Sequence, residues 1–438
     1  MASVDKPDIM LLVIDSLRPD HLGCYGYERE TSPFIDSLAE KGVKFEKCYA
    51  NSFWSVPSHA SIFTGDLVSD HKIISNENPE LERENLLVNS LKEKGYHTYG
   101  NSNNMWVNDL YGYDEAFDDF DFQLWASDMG NRDSNEMLKE IHRGDWDSRK
   151  EKYLSAMKKA AKKGPGTVLK LAGFKFERKF GKRWGISDYG STKSIRRIKR
   201  KGKQVEKPLF AFCNFMEVHA AYSPPIGFSR KFSSYYRPKD GVVNAREKAK
   251  GENLQKRINL YDDCIRYIDK QLKDFITEYR GENPETVFII TSDHGELFFD
   301  NSLEHEEPAQ GHDTPSCSDE MLKVPFIIYS EETNLDGLFE PEDITTLREI
   351  QKMIESLLDR EPFEAKGYAI AENIDDEEKS CKMITDGKNR AVIDEDGEHL
   401  YGDEEITQSL LGKLKKETKT LQKLESITYH KEIEEVDI

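Results

Sequence analysis

The chain has 438 residues and a formal net charge of −20 at pH 7, and 33% of its residues are charged. This length can bury a large core and predicts two domains, or one large domain with an appendage. The acidic balance disfavours nucleic-acid binding. The longest apolar run, IMLLVI, is far too short to span a membrane. No signal peptide is recognised before the first strand, so we expect a cytoplasmic location.

Buried strands alternate with helices along the first 330 residues. The alternation predicts an α/β fold with a mostly parallel central sheet flanked by helices. In such sheets ligands bind at the carboxyl ends of the strands, where Asp15 and Asp293 stand. The predicted strands cover 8–15, 43–50, 96–103, 207–215, 285–295 and 324–330, and the predicted helices cover 32–42, 84–95 and 252–279.

The segment NSFWSVPSHASIFTG (51–65) predicts a helix that begins near a serine. Pro57 suits the first turn of a helix, where its missing N–H has no partner to lose. Ser55 then lies at or just before the cap, beside free backbone N–H groups. Two interpretations stay open at this point: Ser55 is a helix cap, or it is a nucleophile next to an anion-binding helix end.

Residues after about 331 are acidic and differ in pattern from the first part of the chain. A helix around 345–358 is followed by short strand-like pieces at 367–373, 380–387 and 389–401, the last with a DG hairpin turn. We therefore divide the chain into a main α/β domain, 1–335, and a small C-terminal subdomain, 336–438, with an antiparallel sheet and a charged tail.

A basic insertion occupies about 145–206 of the main domain. Residues 158–207 hold 18 Lys and Arg against three acids, a local net charge of +15 in an acidic protein. One interpretation is a solvated basic lobe that packs on the acidic body. The other is a binding surface for an anionic substrate or partner, such as a lipid or a polyanionic glycan.

The cysteines show no pattern that indicates a crosslink or a zinc site. None forms a CxxC pair, so neither a zinc ribbon nor a disulfide framework is predicted. We expect free thiols, the usual state in a reducing cytoplasm. The six cysteines are Cys24, Cys48, Cys213, Cys264, Cys317 and Cys381.

Four potential metal donors follow predicted strands or begin the Ser55 helix. Asp15, Asp293 and His294 come directly after buried strands, and Ser55 lies between them in sequence. Two carboxylates, an imidazole and a hydroxyl are suitable ligands for one divalent cation. Such a cation lowers the pKa of the hydroxyl and prepares it for attack on a tetrahedral sulfur or phosphorus centre.

Five ordered motifs make the chain resemble the sulfatase branch of the alkaline phosphatase superfamily, over roughly residues 8–330. They are DSLRPDHLGCYGY (15–27), WSVPSH (54–59), FMEVHAAYSPP (215–225), TSDHGELF (291–298) and EMLKVPFIIY (320–329). The resemblance implies a two-domain α/β fold, one divalent metal ion and attack by the residue in the Ser55 position. It also implies that the ligands are Asp15, Ser55, Asp293 and His294.

Three histidines are candidate catalytic residues. By the motif match, His219 resembles the histidine that contacts the ester group. His312 resembles a histidine that binds the substrate or protonates the leaving group. His59 lies one helical turn beyond Ser55 and could face the site. Ca²⁺ is the expected ion, with Mn²⁺ and Zn²⁺ as alternatives.

The chain departs from the sulfatase pattern at three places. His59 stands where the modification motif has Arg, and Ser16 stands where a second acidic ligand is usual. The run GNSNNMW (100–106) replaces a Gly-Lys-Trp-His run. These departures leave open whether the nucleophile is a formylglycine made from Ser55, which favours sulfate esters, or an unmodified serine, which favours phosphate esters.

The sequence therefore predicts a sulfatase-like, metal-dependent hydrolase of sulfuric or phosphoric esters. A phosphatase, a phosphodiesterase or a phospho-group transferase with an unmodified serine is the alternative. A non-catalytic protein that binds an anionic glycan or lipid is the alternative of another class. The expected partner is an anionic ester substrate, such as a sulfated or phosphorylated glycan.

Overall fold

The computed structural model describes most of the chain outside the basic insertion. The described residues are 6–74, 86–108, 112–122, 188–206, 208–220, 222–234, 252–298, 310–311, 316–374, 380–394 and 397–418, with short pieces of 155–168. Most of the predicted basic insertion, including 169–187, lies outside them.

The strands form four sheets, of which the largest has seven strands in the order β2-β11-β7-β1-β6-β4-β5. Within this sheet β11 runs antiparallel to its neighbours and the other pairings are parallel, so the predicted fold class is confirmed. The strands are β1 Ile9–Ile14, β2 Val43–Lys44, β3 Lys47–Tyr49, β4 His97–Ser102, β5 Asp119–Phe122, β6 Leu209–Phe215, β7 Val287–Thr291, β8 Leu297–Phe298, β9 Gln310–Gly311, β10 Lys323–Val324, β11 Phe326–Tyr329, β12 Ile344–Thr346, β13 Ala369–Ile374, β14 Ser380–Thr385, β15 Arg390–Asp394 and β16 Gly397–Tyr401.

Helices cover both faces of the central sheet, which explains why its strands are apolar on both sides. Alternate residues of β1 point to opposite faces. Ile9, Leu11 and Val13 pack with α2, α4 and α9, whereas Met10, Leu12 and Ile14 pack with α1, α6 and α7. The described helices are α1 Pro33–Lys41, α2 Ser55–Thr64, α3 Val68–His71, α4 Leu87–Glu93, α5 Tyr113–Ala116, α6 Ser191–Gln204, α7 Glu252–Glu282, α8 Asp319–Leu322, α9 Ile350–Asp359 and α10 Glu404–Glu417.

The parallel register brings several polar segments to one edge of the sheet. Ile14 of β1 is aligned with Phe215 of β6, and Val13 is aligned with Thr291 of β7. Ser102 of β4 is aligned with Asn214 of β6. The residues that directly follow β1, β4, β6 and β7 therefore begin at the same carboxyl edge.

Two predicted elements differ from the structure because the chain changes sheets. The predicted strand 43–50 is two strands: β2 pairs with β11 in the central sheet, whereas β3 pairs with β10 and β12 in a separate one. Phe45, at the change, packs edge-on against Phe326 and Phe339. The predicted helix 345–358 begins later, because 344–346 pair with β3 as a strand. A 3₁₀ turn at 347–349 then leads into α9 at Ile350.

The C-terminal part contains the predicted small antiparallel sheet, in the order β13-β14-β15-β16. Helix α10 covers one face of it, with Leu410, Leu411 and Leu414 against Ile370 and Ile384. Apolar side chains between 338 and 363 pack instead in the same cluster as β1 and α2. Among the described residues, no helix is long and apolar enough to cross a membrane.

One disulfide bond corrects the expectation of free thiols. Cys317 and Cys381 are bonded across 64 residues of sequence, while Cys24, Cys48, Cys213 and Cys264 are free. The fold brings the loop before α8 into contact with β14. The spacing of the cysteines along the chain does not indicate this contact. Asn373 supports the same junction, since its Nδ2 donates to the carbonyl of Ser316.

Helix α6 is the longest described element of the basic segment, and it packs on acidic surface. Lys199 pairs with Glu278, Lys201 with Asp119 at 2.8 Å, and Lys203 with Glu282 at 2.9 Å. For this helix, the contacts agree with the first interpretation, a basic lobe that packs on the acidic body.

Candidate metal and nucleophile site

Helix α2 carries the candidate nucleophile into the interior at the carboxyl edge of the sheet. Ser55 is the first residue of the helix and Trp54 is the cap, so the helix begins at the serine itself. All residues from 55 to 63 are buried, and Ser55 is only 5% exposed.

Asp15, directly after β1, contacts the hydroxyl of Ser55. The Oγ atom of Ser55 donates to Oδ2 of Asp15 at 3.1 Å. Asn104, which follows β4, donates through Nδ2 to the same Oδ2 at 2.8 Å and to Ser55 Oγ at 2.9 Å. The register of β1 and β4 thus brings residues far apart in sequence around one oxygen atom.

Asp293 and His294, directly after β7, lie on the other side of that hydroxyl. The His294 Nδ1 atom contacts the carbonyl oxygen of Gly295 at 2.8 Å, so Nδ1 carries the proton and Nε2 presents its lone pair toward Ser55. This Nε2 is 3.4 Å from Ser55 Oγ, 3.6 Å from Asp293 Oδ2 and 3.9 Å from Asp15 Oδ1.

These residues fit a divalent cation. One ligand atom from each of Asp15, Asp293 and His294 can be chosen so that all lie within 4.8 Å of one another, and all three residues are fully buried. Oδ2 of Asp293 accepts no hydrogen bond from the described residues. Buried carboxylates this close are unfavourable unless a cation compensates them. The donor set of carboxylate oxygens and imidazole nitrogen is one that divalent metals bind.

The charge of Asp293 is maintained in the folded protein. Burial alone would raise its pKa, but the His294 and His59 rings beside it and the hydrogen bond from the backbone N–H of Ser16 lower the pKa below its usual range. The carboxylate is therefore ionised at neutral pH, as a metal ligand must be.

Ser16 replaces a carboxylate ligand of the sulfatase pattern and has a different role here. Its backbone N–H donates to Oδ1 of Asp293 at 3.3 Å, and its hydroxyl donates to Oδ1 of Asp15 at 2.9 Å. The residue has a φ of 60°, which turns the chain sharply after β1. Ser16 thus orients the two carboxylates rather than adding a third.

His59 lies beside the site but is enclosed. Its Nδ1 contacts the carbonyl of Ser55 at 2.8 Å and lies 3.6 Å from Oδ2 of Asp293, and its Nε2 contacts Nδ2 of Asn214 at 3.2 Å. Burial lowers the pKa of His59, even though Asp293 and the Ser55 carbonyl oppose this effect. A neutral imidazole is therefore held between α2 and β6.

The other two predicted histidines make no described contact with Ser55. His219 follows β6 at the same edge as Asp15, is half-buried, and its Nδ1 donates to the carbonyl of Ala220 at 2.6 Å. His312 lies outside the described residues, directly after β9.

Sequence reasoning missed Asn104. The comparison of 100–106 with the Gly-Lys-Trp-His run shows only which side chains are missing there. The signal for Asn104 is its position: it follows a buried strand, and the strand order places that strand next to β6, which in turn adjoins β1.

Comparison with known proteins gives the family. A family model for sulfatases matches residues 7–359. The chain belongs to the sulfatase family. It is 24% identical over 429 residues to an arylsulfatase of Clostridium perfringens, covering 91% of this chain and 82% of that protein. It is 22% identical to the uncharacterized sulfatase YidJ of Escherichia coli, covering 74% of this chain and 63% of that protein.

Solved structures share the fold at lower identity. The phosphonate monoester hydrolase of Agrobacterium radiobacter superposes with a TM-score of 0.61 at 17% identity, covering 94% of each chain. BT4656, in complex with its substrate D-glucosamine-2-N,6-O-disulfate, gives 0.61 at 14% identity, covering 94% of this chain and 97% of that one. Members of the sulfatase family generally bind a divalent metal ion. That this chain belongs to the family supports a sulfatase-type hydrolase activity for it.

Proposed function

We propose that this protein is a metal-dependent hydrolase of sulfuric or phosphoric esters, with Ser55 as the nucleophile. The observation that carries the proposal is the position of one buried hydroxyl. Oγ of Ser55 lies within 3.4 Å of Asp15, Asn104 and His294, which come from three different strand ends. A serine that only capped its helix would not need this set of neighbours.

Asp15, Asp293 and His294 would hold the divalent ion together with Ser55. When bound, the ion acts as a Lewis acid that lowers the pKa of the hydroxyl and offsets negative charge on the reacting group. Ca²⁺ is the first ion to test because two of the side chains are carboxylates, with Mn²⁺ and Zn²⁺ as alternatives.

The chain's own residues then position the reacting atoms. Ser55 Oγ forms a bond to sulfur or phosphorus, and the bond from that atom to the leaving oxygen breaks. The proton that Ser55 loses passes to solvent, and the leaving alkoxide takes one proton, so the transfer balances. Our candidate donor is His219 in its imidazolium form, because it follows β6 at the same sheet edge, and His312 is the alternative. Water then hydrolyses the ester on Ser55 and restores the hydroxyl.

The proposed substrate is an anionic ester, and a sulfated or phosphorylated glycan is the class we would test first. The C. perfringens relative is an arylsulfatase, and BT4656 was solved with a disulfated sugar. The fold is also shared with a phosphonate monoester hydrolase. Both sulfur and phosphorus centres are therefore included in the proposal.

Turnover of para-nitrophenyl sulfate, para-nitrophenyl phosphate and bis(para-nitrophenyl) phosphate by purified protein tests the proposal. We expect Ser55→Ala to abolish turnover and to keep the melting temperature. Ser61→Ala, in the same helix, is the matched control, because its hydroxyl contacts His71 at 3.1 Å rather than the site. Full activity of Ser55→Ala would contradict the proposal that Ser55 is the nucleophile.

Mass spectrometry of the peptide that contains Ser55 resolves the state of the nucleophile. Conversion of serine to formylglycine removes two hydrogen atoms, so the two states differ in mass. An unmodified serine is what we expect, because His59 occupies the position of the arginine in the modification motif.

A further inference from the structure

The side-chain amide of Asn104 is held in one orientation with both N–H groups directed into the site. Its Nδ2 donates to Asp15 Oδ2 at 2.8 Å and to Ser55 Oγ at 2.9 Å, while its Oδ1 accepts from the backbone N–H of Trp106 at 2.8 Å. A flipped amide would place Oδ1 against the Asp15 carboxylate, so the orientation follows from the partners. The residue is 1% exposed.

The backbone around Asn104 is fixed as well. Its N–H donates to Oγ of Ser102 at 3.0 Å, and the N–H of Asn103 continues the ladder to the carbonyl of Asn214 at 3.1 Å. The amide therefore stands on the end of a strand rather than on a mobile loop, which is the arrangement that preorganises a donor.

A donor to Ser55 Oγ has a direct role in the reaction. As the hydroxyl loses its proton, negative charge concentrates on Oγ, and a fixed N–H donor in a buried site stabilises that charge. When Oγ bonds to sulfur or phosphorus, the non-bridging oxygens of the ester group come next to the same N–H groups. Asn104 thus contacts the atoms on which charge develops.

The amide also adds no charge beside the nucleophile. Asp15 and Asp293 contribute two carboxylates, and a divalent ion offsets about that much charge. Ser55 and Asn104 contact no Lys or Arg side chain within the described part of the chain. A lysine at position 104 would add one positive charge beside the nucleophile, but an asparagine adds none. An ester group with two negative charges is therefore less well compensated here than a group with one.

We propose that Asn104 is a catalytic residue that stabilises the Ser55 oxygen and, being uncharged, makes the site prefer ester groups with a single negative charge. Such groups are sulfate monoesters and phosphate diesters; a phosphate monoester carries two charges above its second pKa. This inference rests on the proposed function, since it assumes that Ser55 is the nucleophile.

Calorimetric titration with two matched inhibitors tests the charge preference without turnover. Phenylsulfonate carries one negative charge, and phenylphosphonate carries two when the pH is above its second pKa. We expect the native protein, with its divalent ion, to bind phenylsulfonate more tightly. Asn104→Lys should shift the affinity ratio toward phenylphosphonate by about tenfold or more. An unchanged ratio in a folded Asn104→Lys variant would overturn the charge preference.

Kinetics of Asn104→Ala test the catalytic role and remain informative if the lysine variant does not fold. Loss of one donor to the developing charge should lower kcat about 100-fold with a much smaller change in KM. The inhibitor affinity ratio should stay unchanged, because Ala is also uncharged. Asn103→Ala is the control, since its Nδ2 donates to Ser194 Oγ at 2.9 Å on α6.

Two results separate this inference from the proposed function. An active Ser55→Ala variant overturns the proposed function and the inference together. An inactive Ser55→Ala variant with Asn104→Ala as active as the Asn103→Ala control overturns the catalytic role of Asn104 alone.

Discussion

The hydroxyl of Ser58 donates a hydrogen bond of 2.6 Å to the backbone carbonyl of Asp293. Ser58 lies three residues after Ser55 on α2, and the bond is fully buried. Helix α2, which carries the candidate nucleophile, is thereby tied to the residues after β7, which include two of the candidate metal ligands. The position of Ser55 relative to Asp293 and His294 depends on this contact.

Ser58→Ala should therefore lower both stability and activity. It leaves the buried Asp293 carbonyl without a donor, which costs about 1–3 kcal/mol. We expect kcat to fall roughly tenfold because the nucleophile is less well positioned. Thermal unfolding and steady-state kinetics measure the two effects, with Ser61→Ala as the control. Equal values for the two variants would show that the contact does not position the site.

Much of this site follows from the sequence, because Asp15 and the pair Asp293–His294 end apolar strands that must be central. Parallel strands bring such positions to one edge of the sheet. The sequence therefore predicts that these residues lie near Ser55, but not at what distances. The contacts of Asn104 are not predictable, because they require the order of β1, β6 and β4 in the sheet. The bond between Cys317 and Cys381 likewise depends on how the small sheet docks.

The pH dependence of stability should show the effect of a buried acid, Glu217. Burial raises its pKa from 4.5 to about 8, and the Asp188 carboxylate nearby adds to this effect, while the N–H of Ser191 opposes it. The other ionisable groups facing it are Cys213, Tyr189, Cys264 and Tyr267. Because the pKa is higher in the folded state, folding takes up a proton between pH 4.5 and about 8. The free energy of unfolding therefore falls as the pH rises through this window.

Glu217→Gln should remove that dependence, since glutamine resembles the protonated carboxyl. We expect the variant to match the native protein near pH 4.5 and to exceed its free energy of unfolding by roughly 4 kcal/mol near pH 8. Denaturant unfolding at several pH values measures this. Glu278→Gln, at an exposed ion pair with Lys199, is the control. A native-like slope in Glu217→Gln would show that the carboxyl is already ionised at neutral pH.

The disulfide bond predicts how many cysteines react with an alkylating reagent before and after reduction. Alkylation of the denatured protein without reductant should label Cys24, Cys48, Cys213 and Cys264, and reductant should add Cys317 and Cys381. Closing a loop of 64 residues stabilises the fold by about 4 kcal/mol in the chain-entropy model. Reductant should then lower the melting temperature of the native protein but not of Cys381→Ala. Labelling of all six cysteines without reductant would contradict the bond.

The cytoplasmic location stays a prediction, although disulfides are rare in that compartment.

The most direct measurement is a calorimetric titration of metal-stripped protein with Ca²⁺, Mn²⁺ and Zn²⁺, repeated on Asp293→Asn. We predict one tight site in the native protein and its loss in the variant, because Asn cannot supply the ionised oxygen at Oδ2. Asp121→Asn, a substitution at a partly exposed acid on β5, should bind the ion as the native protein does. Native protein that binds none of the three ions, or an Asp293→Asn variant that binds as tightly as native, would contradict a metal centre at Ser55.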